Sequence, residues 1–375
     1  MLKLFLPAVL LLTLCANSLA QTSSTPVEVL YVAGPQGTSS VFLHTYNVNR
    51  QTAVATPVGS AIPVHSGSID PLTIGTNHYI YLWNSKGVWL YPTSANGVPT
   101  STPSQHLTFS FAHPVNSFLV NPDGKFAYAA MAWGTYPNNY ASIVLFTIDQ
   151  SAGMLTNTNQ VVASYSHPYI GFTAFLFGSQ GGKLFAKWFD DGPHTSAIGF
   201  DYYPVNQTTG QLGKLQSLFY AQTFECGSSC NVTVTSALSA ASGVCCGPSS
   251  GFIEISHNSG GPNFGCGASD QTFCGDDVGG LAIDPANANL FFGDATVNET
   301  VIGNIDFTTS KLTPSGATIP GTPPVYFSPD SRLVYAVNSN DIGIYSLHTS
   351  TGALTASTTL SDSGAVNIAA ATLHN

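Results

Sequence analysis

The stretch "NPDGKFAYAA" (121–130) returns, little changed, as "SPDSRLVYAV" (328–337). The residues C-terminal to each copy are also alike: "SIVLFTIDQSAGMLT" after the first and "IGIYSLHTSTGALT" after the second. In each unit two alternating strands flank a loop, and a polar turn containing Gly leads into another short strand. Weaker copies are "NHYIYLWNSKGVWLYPTSANGV" (77–98), "GGKLFAKWFDD" with "AIGFDYYPVNQTTGQLG" (181–213), and "NANLFFGD" with "VIGNIDFTTSKLT" (287–313). The turns equivalent to "NPDGK" begin near residues 74, 121, 179, 284 and 328. Neighbouring units are spaced by about 50 residues, and the gap from 179 to 284 holds about two units. A degenerate repeat is therefore expected between 223 and 277. A period of this size with four short strands per unit is the signature of a β-propeller, in which each blade packs only on its neighbours.

The ends of the chain extend the pattern. Residues 27–59, "VEVLYVAG…VFLHTYNVN…VATPVG", supply the second, third and fourth strands of a unit without a first. Residues 365–374, "AVNIAAATLH", supply a first strand with nothing after it. If the two share a blade, the terminal strands close the ring and two exposed sheet edges disappear. The expected fold is all-β, a seven-bladed propeller, or six-bladed if 223–277 is only an insertion. The expected organisation is a signal peptide at 1–20, a short linker at 21–26 and a single propeller domain over 27–375.

Composition agrees with many short strands and tight turns: charged residues are only 7 % of the chain and apolar residues 43 %. Nine Lys plus Arg against a formal charge of -10 leave no basic stripe for a phosphate backbone, so nucleic acid is not an expected partner. The opening "MLKLFLPAVLLLTLCANSLA" has one Lys, a short apolar run and small residues at Ser18 and Ala20. It reads as a secretory signal cleaved after Ala20, against a lipoprotein reading in which Leu14 stands where a small side chain is needed before Cys15. The mature protein is expected to be secreted or periplasmic, monomeric and without a membrane span. Six cysteines then remain: Cys226, Cys230, Cys245, Cys246, Cys266 and Cys274. In an oxidising compartment they are expected to form disulfides that staple the degenerate blade, with connectivity left open. A metal site using Cys226, Cys230 and His257 is the rival reading; no metal or other cofactor is expected.

On these units the chain resembles the seven-bladed lactonase propeller family, which includes bacterial 6-phosphogluconolactonases and carboxymuconate-cyclising enzymes. The likeness runs from about residue 27 to the end. It implies a fold more than an activity, because propellers host many functions.

In an up-and-down blade, the loop between strands two and three and the link to the next blade share one face; the turns after strands one and three share the other. The "NPDGK" and "STGAL" turns fall on the second face, where Pro, Asp and Gly serve turn chemistry. On the first face, the links carry His65, His113, His167, the pair Asp276 and Asp277, and Asp362. The loops between strands two and three add Trp133, Tyr136, Trp188, Asp190, Asp191, His194, Asp294 and Asp341. The resemblance implies that His and acidic residues around the channel mouth open or close a lactone, and "AHPVNSFLVNPDGK" (112–125), with His113, is the nearest local likeness. The expected catalytic residues are His113, His167 and Asp277: a His would act as general base on water, with a carboxylate holding its tautomer. The expected binding residues are His65, Trp133, Tyr136, Trp188, Asp190, Asp191, His194 and Asp362. The competing reading is that these side chains cap strands or meet solvent.

One departure from the family bears on the substrate. Anionic sugars need cationic clamps, yet the only arginines, Arg50 and Arg332, fall in second-face turns, as do Lys125, Lys183, Lys214 and Lys311. Only Lys86 and Lys187 remain near the first face, so 6-phosphogluconolactone is not the expected substrate. The "GPSSG" at 247–251 matches a nucleophile elbow by letter only, with no strand-to-helix pattern around it. Two main readings stay open: a secreted lactonase-like hydrolase acting on a neutral or weakly charged lactone, and a non-catalytic extracellular propeller binding a glycan, peptide or protein partner. A structural surface protein is a third.

Overall fold

The computed structural model describes residues 27–36, 40–111, 113–134, 140–166, 170–177, 182–191, 195–224, 231–234, 240–244, 251–255, 271–275, 278–284, 289–294, 298–306, 311–321, 323–338, 341–361 and 367–373, some by backbone alone. These residues are all-β, and their strands form antiparallel sheets, numbered here 1 to 7 in chain order. Sheet 1 holds β1 (Val27–Gln36), β2 (Ser40–Val48), β3 (Ala55–Pro57) and β4 (Ile62–Val64). Sheet 2 holds β5 (Ser68–Ile74), β6 (Asn77–Asn84), β7 (Gly87–Pro92) and β8 (Gln105–Thr108). Sheet 3 holds β9 (Val115–Val120), β10 (Phe126–Trp133), β11 (Tyr140–Ile148) and β12 (Leu155–Ser166). Sheet 4 holds β13 (Ile170–Phe177), β14 (Lys183–Asp191), β15 (Thr195–Pro204) and β16 (Gln216–Phe224). Sheet 5 lies inside the stretch expected to hide a degenerate repeat, with β17 (Asn231–Val234), β18 (Ala240–Val244), β19 (Gly251–Ile255) and β20 (Gln271–Gly275). Sheet 6 holds β21 (Val278–Ile283), β22 (Asn289–Asp294), β23 (Glu299–Asp306) and β24 (Lys311–Pro320). Sheet 7 holds β25 (Val325–Phe327), β26 (Leu333–Val337), β27 (Asp341–His348) and β28 (Ala353–Ser361). The last strand, β29 (Asn367–Leu373), pairs antiparallel with β1, from Val27↔Leu373 to Ala33↔Asn367. The C-terminal strand thus completes the sheet that the N-terminal strands begin.

The repeated phrase owes its form to burial on both sides of the strand. Along β10, Phe126, Tyr128 and Ala130 pack with Leu184, Ala186 and Tyr203 of sheet 4. The alternate residues Ala127, Ala129 and Met131 pack with Tyr81, Val88 and Leu90 of sheet 2. Side chains alternate with a period of two, so an unbroken apolar run serves two interfaces at once. The second copy does the same: Leu333 and Tyr335 join the cluster with Leu30 and Val32 of sheet 1, while Val334 and Ala336 join the cluster with Phe291 and Ile302 of sheet 6.

The tyrosine of the phrase has a further task. Tyr31 donates to the carbonyl of Gly97 at 2.9 Å, Tyr81 to Gly153 at 2.5 Å and Tyr128 to Gly210 at 2.8 Å, each time reaching the next sheet. Burial raises all three phenol pKa values, so each hydroxyl stays a donor. The receiving glycines have φ of 78°, 68° and 71°, a left-handed conformation that favours Gly. In the turns ending at Gly153 and Gly210, the glycine N–H closes on the carbonyl of Asp149 or Asn206 at 2.8 Å. The Asp, Asn and Gly of these turns therefore serve the joint between sheets as well as the reversal of the chain.

Candidate functional site

On the first face, two groups of parallel rings are brought together. His113, in the link entering β9, lies flat on Trp133, the last residue of β10, with ring centroids 4.0 Å apart and planes 6° apart. Trp133 in turn stacks with Tyr140, its cross-strand partner at the start of β11, at 5.9 Å and 24°. Tyr140 is 42 % exposed, so this stack ends in an open aromatic face. Among the described residues nothing hydrogen-bonds the His113 ring, and stacking fixes its plane while leaving both nitrogens at the ring edge.

The second group is His65, Trp89 and His106. Trp89 is buried in β7; His65 stacks on it at 4.2 Å and 8°, and His106, its cross-strand partner on β8, at 4.7 Å and 10°. Both histidines are exposed. His106 had no place in the sequence reading, because nothing in "SQHLTFS" shows that its strand would set it beside Trp89.

A carboxyl group missed in the sequence is buried in sheet 2. Asp70 stands on β5, which packs between β29 and β9, the first strands of the adjoining sheets. Its Oδ2 is buried without a partner, as is the indole nitrogen of Trp83, which lies near but outside hydrogen-bond geometry. Burial pushes the Asp70 carboxyl up to about 7, with the Trp83 indole opposing the shift. Trp83 and Trp133 pack against one hydrophobic cluster between sheets 2 and 3. The signal was present in "SIDPLTI" (68–74): a carboxylate set inside an otherwise strand-like run.

Several expected loop residues turn out to belong to strands. Trp133 ends β10, Trp188, Asp190 and Asp191 end β14, Asp294 ends β22 and Asp341 begins β27. The hairpin ladders run further than the alternation suggested, for Asp191 still pairs with Ser196 and Asp294 with Glu299. His167, Tyr136, His194, Asp276, Asp277 and Asp362 lie outside the described residues, as do Cys226, Cys230, Cys245, Cys246 and Cys266. Of Cys274, Trp188, Asp190 and Asp191 only the backbone is described. No helix among the described residues is long and apolar enough to cross a membrane.

Neither a protein-family model nor a curated protein sequence matches this chain. Solved structures do. A candidate 6-phosphogluconolactonase of Bacteroides fragilis superposes with a TM-score of 0.60 at 17 % identity, covering 93 % of this chain and 99 % of its own. A second, from Bacteroides uniformis, gives 0.57 at 13 % identity over 92 % and 99 %. A protein from Lactobacillus plantarum gives 0.53 at 13 % identity over 92 % and 99 %. The chain has the fold of these lactonase-like β-propellers; at such identities the likeness speaks for the fold alone.

Proposed function

We propose that this chain is a secreted lactonase-like propeller of seven blades, closed by the β1–β29 pairing, whose first face takes a neutral or weakly charged lactone. The observation that carries this reading is the stack of His113 on Trp133 and Tyr140. A flat, uncharged ring is the ligand that an exposed aromatic face accepts, and no arginine is needed to hold it. In the reaction, an edge nitrogen of His113 takes a proton from water as the water oxygen bonds to the lactone carbonyl carbon. The ring C–O bond then breaks, and its oxygen takes the proton from the imidazolium.

The test is proton release from a panel of neutral and anionic lactones, with His113→Ala and Trp133→Ala beside the parent. Turnover of neutral lactones is expected and is lost in His113→Ala. No turnover above buffer would remove the catalytic reading. The two ring stacks then favour a second one, a non-catalytic propeller that binds a glycan; saturable sugar binding abolished by Trp133→Ala would establish it.

A further inference from the structure

Both arginines of the chain meet on the opposite face, where sheet 7 adjoins sheet 1. They line a cleft of about 1240 Å³ together with Glu28, Asp330, Thr372 and the turn from Asn49 to Thr52. Arg50 is the inner member. Its Nη2 reaches Glu28 Oε2 at 3.2 Å and Thr372 Oγ1 at 3.3 Å, and its Nη1 reaches Asp330 Oδ2 at 3.2 Å. Thr372 also donates to Glu28 Oε2 at 3.0 Å. Arg50 is thereby spent on holding β1, β29 and the turn before β26 together, with only its buried Nε unpaired. Arg332 differs. Its side chain is 67 % exposed and touches Asp330 only through Nε, at 3.7 Å, so the edge formed by its two terminal nitrogens has no partner among the described residues.

We propose that this cleft is a binding site for a small oxyanion, a molecule bearing a carboxylate, held on the free guanidinium edge of Arg332 with Arg50 behind it. The planar fork of a guanidinium matches a carboxylate with two parallel N–H···O bonds. Amide and hydroxyl groups of Asn49, Gln51 and Thr52 line the same cleft and serve the rest of a polar ligand. The charge balance is set by Glu28, whose side chain is fully buried with Oε1 unpartnered. The groups facing it are Arg50, Asp330, Thr372 and Tyr335. Burial pushes its carboxyl up to about 7 against the pull of Arg50 and Thr372. Below that pH, two guanidiniums face one carboxylate and the cleft carries an excess positive charge. Above it, the charges cancel. Oxyanion affinity therefore rises as pH falls through 7.

The experiment is calorimetric titration of the full chain with acetate, succinate, citrate and sulfate at constant ionic strength, at about pH 6 and about pH 8. Saturable binding of at least one carboxylate is expected, tighter at the lower pH. Arg332→Gln, an exposed change that leaves the fold intact, should weaken it by about tenfold or more. Glu28→Gln should remove the pH dependence and keep the tight form. Trp133→Ala should leave it untouched, which separates this cleft from the first face. Saturable binding of none of the four, or equal binding by Arg332→Gln, would overturn the proposal.

Discussion

Where sheet 3 meets sheet 4, Tyr128 donates to the carbonyl of Gly210 and the apolar side chains of Phe126 and Leu145 close over the same glycine. Where sheet 7 meets sheet 1, Tyr335 occupies the same place in the repeated phrase, but the glycine's place is taken by Ala53. That turn still closes as the others do, with Ala53 N–H on Asn49 O at 2.8 Å, and Ala53 adopts φ of 57°. Its carbonyl accepts instead from Thr358 Oγ1 at 2.5 Å. Tyr335 Oη is buried beside Glu28 without a partner in hydrogen-bond geometry. Burial first, and then the Glu28 charge, raise its pKa well above the ordinary tyrosine value. One joint is thus apolar and uncharged, and the other is built on ions. The second unites strands from opposite ends of the chain: Thr372 and Glu28, which share a hydrogen bond, lie 344 residues apart in sequence.

Substitutions tell the two joints apart. The largest effect is expected for Gly210→Ala, which adds a Cβ 2.6 Å from the Phe126 ring and 2.8 Å from Leu145 at a φ of 71°. Strain and overpacking together should cost about 4 kcal/mol in denaturant unfolding. Gly75→Ala, at φ of 60° with nothing within 4 Å of the new Cβ, serves as the measure of the backbone share alone. Equal losses at both sites would show that the joint is not tightly packed.

Next in size is the pH response of the ionic joint. The folded pKa of Glu28, about 7, lies above its ordinary value of 4.5, so folding takes up a proton between the two. Its contribution to stability is full below pH 4.5 and is lost as pH rises to 7, by about 3 kcal/mol. Asp70, raised from 3.8 to about 7 by burial, acts in the same direction. The difference in unfolding free energy between the parent and Glu28→Gln, followed from about pH 4 to about pH 8, should change across this window. A flat difference would show that folding leaves the Glu28 pKa unshifted.

Two smaller effects separate the joints further. Tyr128→Phe strands the Gly210 carbonyl and should cost about 1.5 kcal/mol, whereas Tyr335→Phe removes a hydroxyl with no partner in hydrogen-bond geometry and should cost less, by the same unfolding measurement. Last, Ala53→Gly should stabilise by about 1 kcal/mol through relief of the left-handed backbone, partly offset by the greater freedom of the unfolded chain.

Much of the architecture was legible because it is periodic. Apolar alternation, the turn chemistry of "NPDGK" and the unpaired first strand at 365–374 are local or nearly local, and the strands, their order within each sheet and the β1–β29 pairing derive from them. The site was legible only in part. His113, His65 and Trp133 could be assigned to one face by counting strands, but their ring stacking depends on the angle at which a link meets the end of a hairpin. Asp70 and His106 were missed because a polar residue inside a strand has the same appearance whether it meets water or a buried wedge.

The repeat, the all-β class and the sorting of residues between two faces could be read from the amino-acid order, since each depends on spacing along the chain. Only the packing of sheets makes Tyr128 reach a carbonyl 82 residues away and lets His65 and His106 share one indole. Packing also sets Arg50 between Glu28 and Asp330. The reason is physical: hydrogen bonds, ring contacts and ion pairs act over a few ångströms, and sequence periodicity does not fix which distant residues are brought within that range.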